Sequence, residues 1–284
     1  MWFNNGKKNK EMSDIMKNKH IDILLSFLNT PLDSGDEIFA RFAALPNAVD
    51  RSGAEPLQRY VYIPGTRKDR VLLVAHIDTV WDRAYKRPFS EAHEVLFEDG
   101  VFRSGNAACG IGADCRAGCA MLWEMRGSGH SILIVDGEEH GKHGAKYLKK
   151  SNSVLFRTLN HHRYIIEFDW QGTDGCLFNQ VDNTKRFKKY IENALGFIDS
   201  KAKGGTDLQV LCQRVCGVNL GVGYHKCHTK DETLVLSEWE NTLEKVGAFL
   251  EQPQPKFRSL FFPKYIRFAK YGVNKVLRIL KLKK

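Results

Sequence analysis

Two apolar runs that end abruptly in metal-binding residues constrain this chain more than any other feature. Val71-Leu-Leu-Val-Ala leads into His76-Ile-Asp78-Thr-Val80, and the run over 130–135 leads into Asp136-Gly-Glu138-Glu139-His140. Short unbroken apolar runs predict strands buried on both faces, as in a parallel sheet covered by helices. In open α/β sheets, ligands collect beyond the carboxyl ends of the strands. His-x-Asp on one such end and Glu-Glu on another therefore point to a hydrolytic metal centre.

The rest of the chain alternates in a way that suits such a sheet. Residues 20–45 carry apolar side chains at helical spacing, interrupted by Thr30-Pro-Leu-Asp-Ser-Gly. This predicts two helices and a turn, with Ser34 or Asp36 capping the second. The segments 59–64 and 70–75 predict neighbouring strands, and 95–102 a hairpin around Asp99-Gly100. Further strands are expected at 130–136, 164–169 and 215–222. Helices are expected from Asp114, from Ala145, and over 187–197 and 237–249. The pattern predicts an α/β fold with a largely parallel or mixed sheet. It divides the 284 residues into a disordered leader (1–19), one catalytic-type domain (20–252) and a tail (253–284) after Pro253-Gln-Pro255.

Charge argues against a nucleic-acid reading of the whole chain, despite a net +10. Ten of the 43 Lys/Arg lie in 256–284, which holds no Asp or Glu; the remaining 33 balance the 33 acids. The body is neutral and the excess belongs to the tail. There Ile266, Ala269, Val273, Val276, Leu277 and Leu280 recur at helical spacing between Lys264, Arg267, Lys270, Lys275, Arg278 and Lys281. A basic amphipathic pattern suits an anionic membrane surface, with docking on the body or a partner, or contact with nucleic acid, as alternatives. No run approaches ~18 apolar residues, so no membrane span is expected. The lysine-rich first twenty residues do not read as a secretory signal, and the expected location is the cytoplasm. The seven cysteines are odd in number, and Cys109, Cys115 and Cys119 lack paired CxxC spacing. Reduced, partly buried thiols are expected.

Five positions fall where strands or glycine-rich turns end: His76, Asp114, Glu139, Asp169 and His228. Two imidazoles and three carboxylates are a donor set that borderline-soft Zn²⁺ accepts, with Co or Mn also suited. If Asp114 bridges, each of two metals receives three protein ligands and keeps an open position for water or substrate. Asp78 is placed to orient the imidazole of His76, and Glu138 to act as general base and acid. Asp174 competes with Asp169, although its Gly-Thr-Asp-Gly setting favours a turn; His225 competes with His228. His140, His143, His161 and His162 read as surface residues, and Asp207 either borders substrate or serves a turn.

Ala75-His76-Ile-Asp78-Thr-Val80, Gly110-Ile-Gly112-Ala-Asp114-x-Arg116-Ala-Gly118, Glu138-Glu139-x-Gly141, Phe168-Asp169 and Gly223-Tyr-His-Lys-Cys-His228-Thr together resemble the co-catalytic di-zinc exopeptidases. That superfamily includes zinc aminopeptidases, peptidase T, carboxypeptidase G2 and related deacylases. The resemblance spans roughly 60–240, with the motifs in matching order. It implies one metal on His76 and Asp169, the other on Glu139 and His228, and Asp114 between them. It also implies a three-layer zinc-peptidase-like fold, a central mixed, mostly parallel sheet flanked by helices. Only 59 positions separate Asp169 from His228, so the lid or dimerisation domain many relatives insert there is expected to be absent. Trp170 replaces an arginine common in intracellular relatives.

The resemblance implies a metallopeptidase, an aminopeptidase or di/tripeptidase acting on short peptides. An amidohydrolase that deacylates N-acyl amino acids shares the same centre. A non-catalytic metal-binding protein tethered by its basic tail is the reading from a different class.

Overall fold

The computed structural model describes residues 18–82, 93–178 and 181–260; the expected leader through residue 17 and the basic segment from 261 lie outside them. The chain begins with helix α1 (18–28) and α2 (Asp36–Ala43), then strands β1 (Val49–Ser52), β2 (Arg59–Ile63) and β3 (Leu72–His76). A hairpin, β4 (Val95–Glu98) and β5 (Val101–Ser104), leads to helix α3 (Ala113–Met125) and β6 (Ser131–Val135). Helices α4 (His143–Ser151) and α5 (Ser153–Leu159) precede β7 (Ile165–Trp170), β8 (Gly175–Leu177), α6 (Lys185–Leu195) and β9 (Ile198–Asp199). The chain continues through α7 (Leu208–Leu211), β10 (Gly217–Gly221), β11 (Tyr224–His225), β12 (Thr233–Val235) and α8 (Leu236–Glu251).

Eight strands form one sheet in the order β1-β2-β6-β3-β7-β10-β8-β9. Its centre, β6-β3-β7-β10, is parallel, so these four strands end at one edge. β3 and β6 are buried at every residue, as their unbroken apolar runs require. Leu73, Ala75, Ile132, Ile134, Ile166 and Phe168 face the larger core, which α1, α2, α3, α6 and α8 help to fill. Leu72, Val74, Leu133, Val135 and Ile165 face the opposite core, closed by residues of α4, α5 and α7. The result is the expected three-layer α/β arrangement, with no separate lid domain between Asp169 and His228 among the described residues.

Local chemistry sets the helix ends. Thr184 accepts the N–H of Phe187 at 3.1 Å to start α6, whose Phe187, Ile191 and Leu195 repeat on one buried stripe. Gly196, at φ 72°, ends it in the left-handed conformation that glycine adopts at low cost. α3 lies so close to β7 that a Cβ on Gly118 would stand 2.1 Å from the carbonyl oxygen of Phe168. Trp239 of α8, wholly buried, locks onto α3 by donating to Ala117 O at 3.0 Å.

Several expectations are corrected. β2 and β3 are not neighbours: β6 lies between them, antiparallel to β2 and parallel to β3. An apolar run shows that a strand is buried on both faces but says nothing of its place in the order. A second sheet, β11-β12-β5-β4, was not foreseen because β11 and β12 have only two and three residues. Residues 18 and 19 belong to α1, not to the leader. Nor does the chain leave the body at Pro253. Gln254 and Phe257 are buried, and Phe257 packs among Tyr164, Phe187 and Tyr190. His162, read as a surface residue, is 3% exposed and lies 2.8 Å from the Ser131 hydroxyl.

Two helical glycines should respond oppositely to alanine. Gly118→Ala should lower stability by about 1–3 kcal/mol, because backbone blocks the new methyl. Gly247→Ala in α8, where a Cβ meets nothing within 4 Å, should raise it by up to about 1 kcal/mol. Urea midpoints of the two variants check the contrast. His162 supplies a pH-dependent prediction. Burial first, then Arg70 and His161, lower its pKa to about 4. The unfolded chain therefore takes up the proton first, and stability should fall as pH drops from about 6.5 to 4, by at most about 3 kcal/mol. His162→Gln should flatten that slope in unfolding midpoints measured across the range.

Candidate metal centre

The parallel centre of the sheet delivers three candidate ligands from adjacent strand ends. His76 is the last residue of β3, Glu139 lies in the turn after β6, and Asp169 is one residue short of the end of β7. Asp114 comes from the first residues of α3, where the backbone is still extended (φ −81°, ψ 103°). The peptide bond that follows it is cis. His228 comes from the loop between β11 and β12.

These five side chains converge. His76 Nε2 lies 3.2 Å from Asp114 Oδ1 and 3.1 Å from Asp169 Oδ1. His228 Nε2 lies 3.0 Å from Asp114 Oδ2 and 2.8 Å from Glu139 Oε1. The two oxygens of Asp114 thus face opposite ways, each toward one imidazole with one further carboxylate. The rival positions point elsewhere: Asp174 pairs with Lys245 at 2.9 Å, and His225 with Glu238 at 2.7 Å. Both rivals are held by α8.

Asp78 and Glu138 flank the cluster. Asp78 Oδ1 is 3.2 Å from His76 Nδ1 and accepts the N–H of Glu138 at 3.0 Å, while its Oδ2 accepts the N–H of Glu139 at 3.1 Å. Glu138 is 8% exposed, and Lys142 stands 3.3 Å from its Oε1.

Five carboxylates against two imidazoles leave a buried excess of negative charge, and the ionisation of the groups reflects it. Burial disfavours the imidazolium of His76, but Asp169, Asp114 and Asp78 outweigh it and hold its pKa well above the usual value. Bonds to Asp114 and Glu139 push His228 up to about 11. Burial, then Asp114, raises Glu139 to about 7, and the same two causes raise Asp169. Burial also raises Glu138, against the opposing pull of His76 and Lys142. The raised imidazole values of His76 and His228 answer that excess of negative charge.

The donor set fits divalent metal ions. Zinc bound at ~2.0–2.2 Å by tetrahedral N and O ligands separates those ligands by roughly 3.3–3.5 Å. The four N···O distances, 2.8–3.2 Å, need to open by between about 0.1 and 0.7 Å. Sulfur also comes near. Cys115 lies within 4.8 Å of ligand atoms of His76 and Asp169, and Cys227 of those of Asp114 and His228. Burial, then Asp169, raises the Cys115 thiol well above its ordinary value, and it donates to Phe168 O at 2.6 Å. It is a packing thiol.

The fold that carries this cluster is one found in solved aminopeptidases and tripeptidases. The chain is similar to the aminopeptidase PepT of Bacillus cereus, at TM-score 0.62 and 14% identity over 83% of this chain and 98% of that one. It is similar to a tripeptidase of Staphylococcus aureus, at TM-score 0.60 and 13% identity over 83% and 98%. An aminopeptidase of the archaeon Desulfurococcus kamchatkensis aligns at TM-score 0.56 and 11% identity over 83% and 95%. No family model matches the chain, and no curated protein matches it in sequence.

Several supporting residues escape the sequence reading. The buried carboxylate of Glu232 accepts the N–H groups of Ile111 (3.0 Å), Gly112 (2.7 Å) and Asp114 (3.1 Å), clamping the turn that presents Asp114. Asn219 of β10 accepts the N–H of Asp169 at 2.9 Å and donates to its carbonyl at 2.7 Å. Glu167 is wholly buried behind the cluster, and so is Asp207, which the sequence reading places either at the substrate or in a turn. Asn219 and Glu167 do carry a signal: a polar residue inside an apolar strand must have a purpose to offset its desolvation. Glu232, in an otherwise exposed polar loop, carries none.

Glu232→Ala should therefore strand three buried N–H groups and cost about 2 kcal/mol or more. Glu232→Gln, which keeps one acceptor oxygen, should recover part of it. Urea unfolding of both variants beside the parent checks the order.

Proposed function

We propose that this chain is a metal-dependent exopeptidase, an aminopeptidase or di/tripeptidase acting on short peptides. The observation that carries the reading is Asp114, whose two oxygens each face one histidine accompanied by one further carboxylate. In this reading His76 and Asp169 would hold one divalent ion and Glu139 and His228 a second, with Asp114 shared between them. Zinc suits two nitrogens and three oxygens best, with cobalt or manganese as substitutes. Bound there, such ions supply the Lewis acidity that makes water nucleophilic near neutral pH and polarises a scissile carbonyl.

The chain's own residues do the rest. Glu138 flanks the cluster, its carboxyl pKa is raised by burial, and in this reading it serves as base rather than ligand. It takes a proton from the attacking water on its carboxylate and delivers it to the departing amine. Lys142, 3.3 Å away, restrains that carboxylate. Asp78 fixes the ring of His76, with its carbonyl oxygen 3.1 Å and its carboxylate 3.2 Å from Nδ1, and holds the Glu138–Glu139 turn as well.

The aminopeptidase and tripeptidase structures with the same fold support peptide over acylated amino acid as substrate. Seven unpaired cysteines support a reducing compartment, the cytoplasm. No described helix is long and apolar enough to cross a membrane. The acid-free basic pattern of 256–284 supports contact with an anionic membrane surface rather than with nucleic acid.

Glu138→Gln should lower kcat by at least about a hundredfold, as loss of general acid–base catalysis does, with metal content unchanged. Loss of metal in that variant would reassign Glu138 as a ligand. Chelation should abolish turnover, and zinc, cobalt or manganese should restore it. In a substrate panel, free-amine di- and tripeptides should be cleaved; hydrolysis confined to N-acylated amino acids would replace the peptidase by a deacylase.

A further inference from the structure

At the end of the sheet opposite the metal centre, β3 and β7 are both preceded by arginines. Arg163 N donates to Arg70 O at 3.1 Å, two residues before the register partners Leu72 and Ile165. Together with Lys68, His161, His162 and Lys256 these arginines line a cleft of about 170 Å³. No carboxylate lines it. Asp69, in the same loop, is engaged by Arg67 at 3.0 Å and by the N–H of Gln254 at 2.8 Å. Lys256 is tied to the rim through His161 O at 3.3 Å, and Phe257 N donates to Arg163 O at 3.1 Å.

Four permanent cations around one small cleft repel each other, and the fold bears that cost unless an anion sits between them. Two observations point to such an anion. The Nε of Arg163 is buried and has no hydrogen-bond partner among the described residues. His162, at the cleft wall, is held neutral by burial and by the positive field of Arg70 and His161. Guanidinium forks match the oxygens of a phosphoryl group, and lysine adds point charge. We propose that this cleft binds the phosphate group of a phosphomonoester, free or in a lipid headgroup.

A lipid source is consistent with the surroundings. A second depression, lined by Arg157, Arg214 and the shared His161, extends the basic surface. The chain then runs from Lys256 into 261–284, which holds eight more Lys/Arg and no acid. The cleft is remote from the proposed chemistry, because six residues of extended chain from Arg70 to His76 span roughly 20 Å.

The test uses the full chain. Calorimetric titration with inorganic phosphate and with glycerol phosphate, each against chloride at matched ionic strength, should show saturable binding to one site. Arg70→Gln combined with Arg163→Gln should weaken it by at least about tenfold, the loss of two charge-assisted contacts. Lys256→Gln, at the exposed rim, should weaken it by about threefold and guards against misfolding of the double variant. Peptide hydrolysis should stay unchanged in both. Flotation with phosphatidylcholine vesicles, with and without phosphatidic acid, then separates the sources. If flotation is lost in the same variants, the ligand is a lipid headgroup. If flotation persists while phosphate binding is lost, the ligand is a soluble phosphomonoester. Phosphate heats no larger than those of chloride, or variants that bind as the parent does, would overturn the proposal.

Discussion

The carboxylate of Asp78, wholly buried, accepts the backbone N–H groups of Glu138 and Glu139 and faces Nδ1 of His76. One side chain therefore joins the end of β3 to the turn after β6. That turn, entered through Gly137 at φ 72°, is otherwise held by local bonds such as Gly141 N–H to Glu138 O at 3.0 Å, and Asp78 is what ties it to β3. Desolvating a carboxylate is costly, and two N–H donors with an imidazole recover much of the cost only if all three hold their positions. The spacing of His76 from Glu139 is thus set by hydrogen bonds made to a residue outside the cluster. The same logic recurs at Asp114, where Glu232 collects three N–H groups of the approaching turn.

These clamps explain how much of the molecule was legible in sequence. His76, Glu139 and Asp169 were readable because each ends an apolar run, and a parallel sheet brings such ends to one edge. Asp114 and His228 were readable only as motifs, since they arrive from outside the parallel core on a helix start and an irregular loop. Strand order was not readable: β6 separates β2 from β3 although nothing in three equally apolar runs distinguishes their positions. The small sheet was hidden for a different reason. β11 and β12 are too short to show a period, yet their pairing with β5 places the His228 loop beside Asp114. Glu232 was invisible because its role is tertiary, toward residues about 120 positions away.

Net charge was also a poor guide, for a physical reason. The 33 acids and 33 bases of residues 1–255 cancel in sum but not in space. Acids gather at the carboxyl ends of the central strands, whereas Arg70 and Arg163 sit before the amino ends of β3 and β7. A parallel sheet makes such segregation available, because all its strand starts share one edge and all its strand ends the other.

The segregation bears on stability as well as binding. Asp78, Asp114, Glu138, Glu139 and Asp169 would carry five negative charges if all were ionised, and only Asp114 and Asp78 have carboxyl groups shifted toward the charged form. The raised values of Glu139, Glu138 and Asp169 show that burial and mutual repulsion disfavour their charged forms. On the proposed reading, two divalent ions contribute four positive charges where protonated His76 and His228 contribute at most two. Metal binding there would displace protons and relieve a repulsion that folding creates, so its free energy would add to that of folding. On that reading the cluster would load the sheet when its charge is balanced by protons alone, and would brace three strand ends when metal is bound.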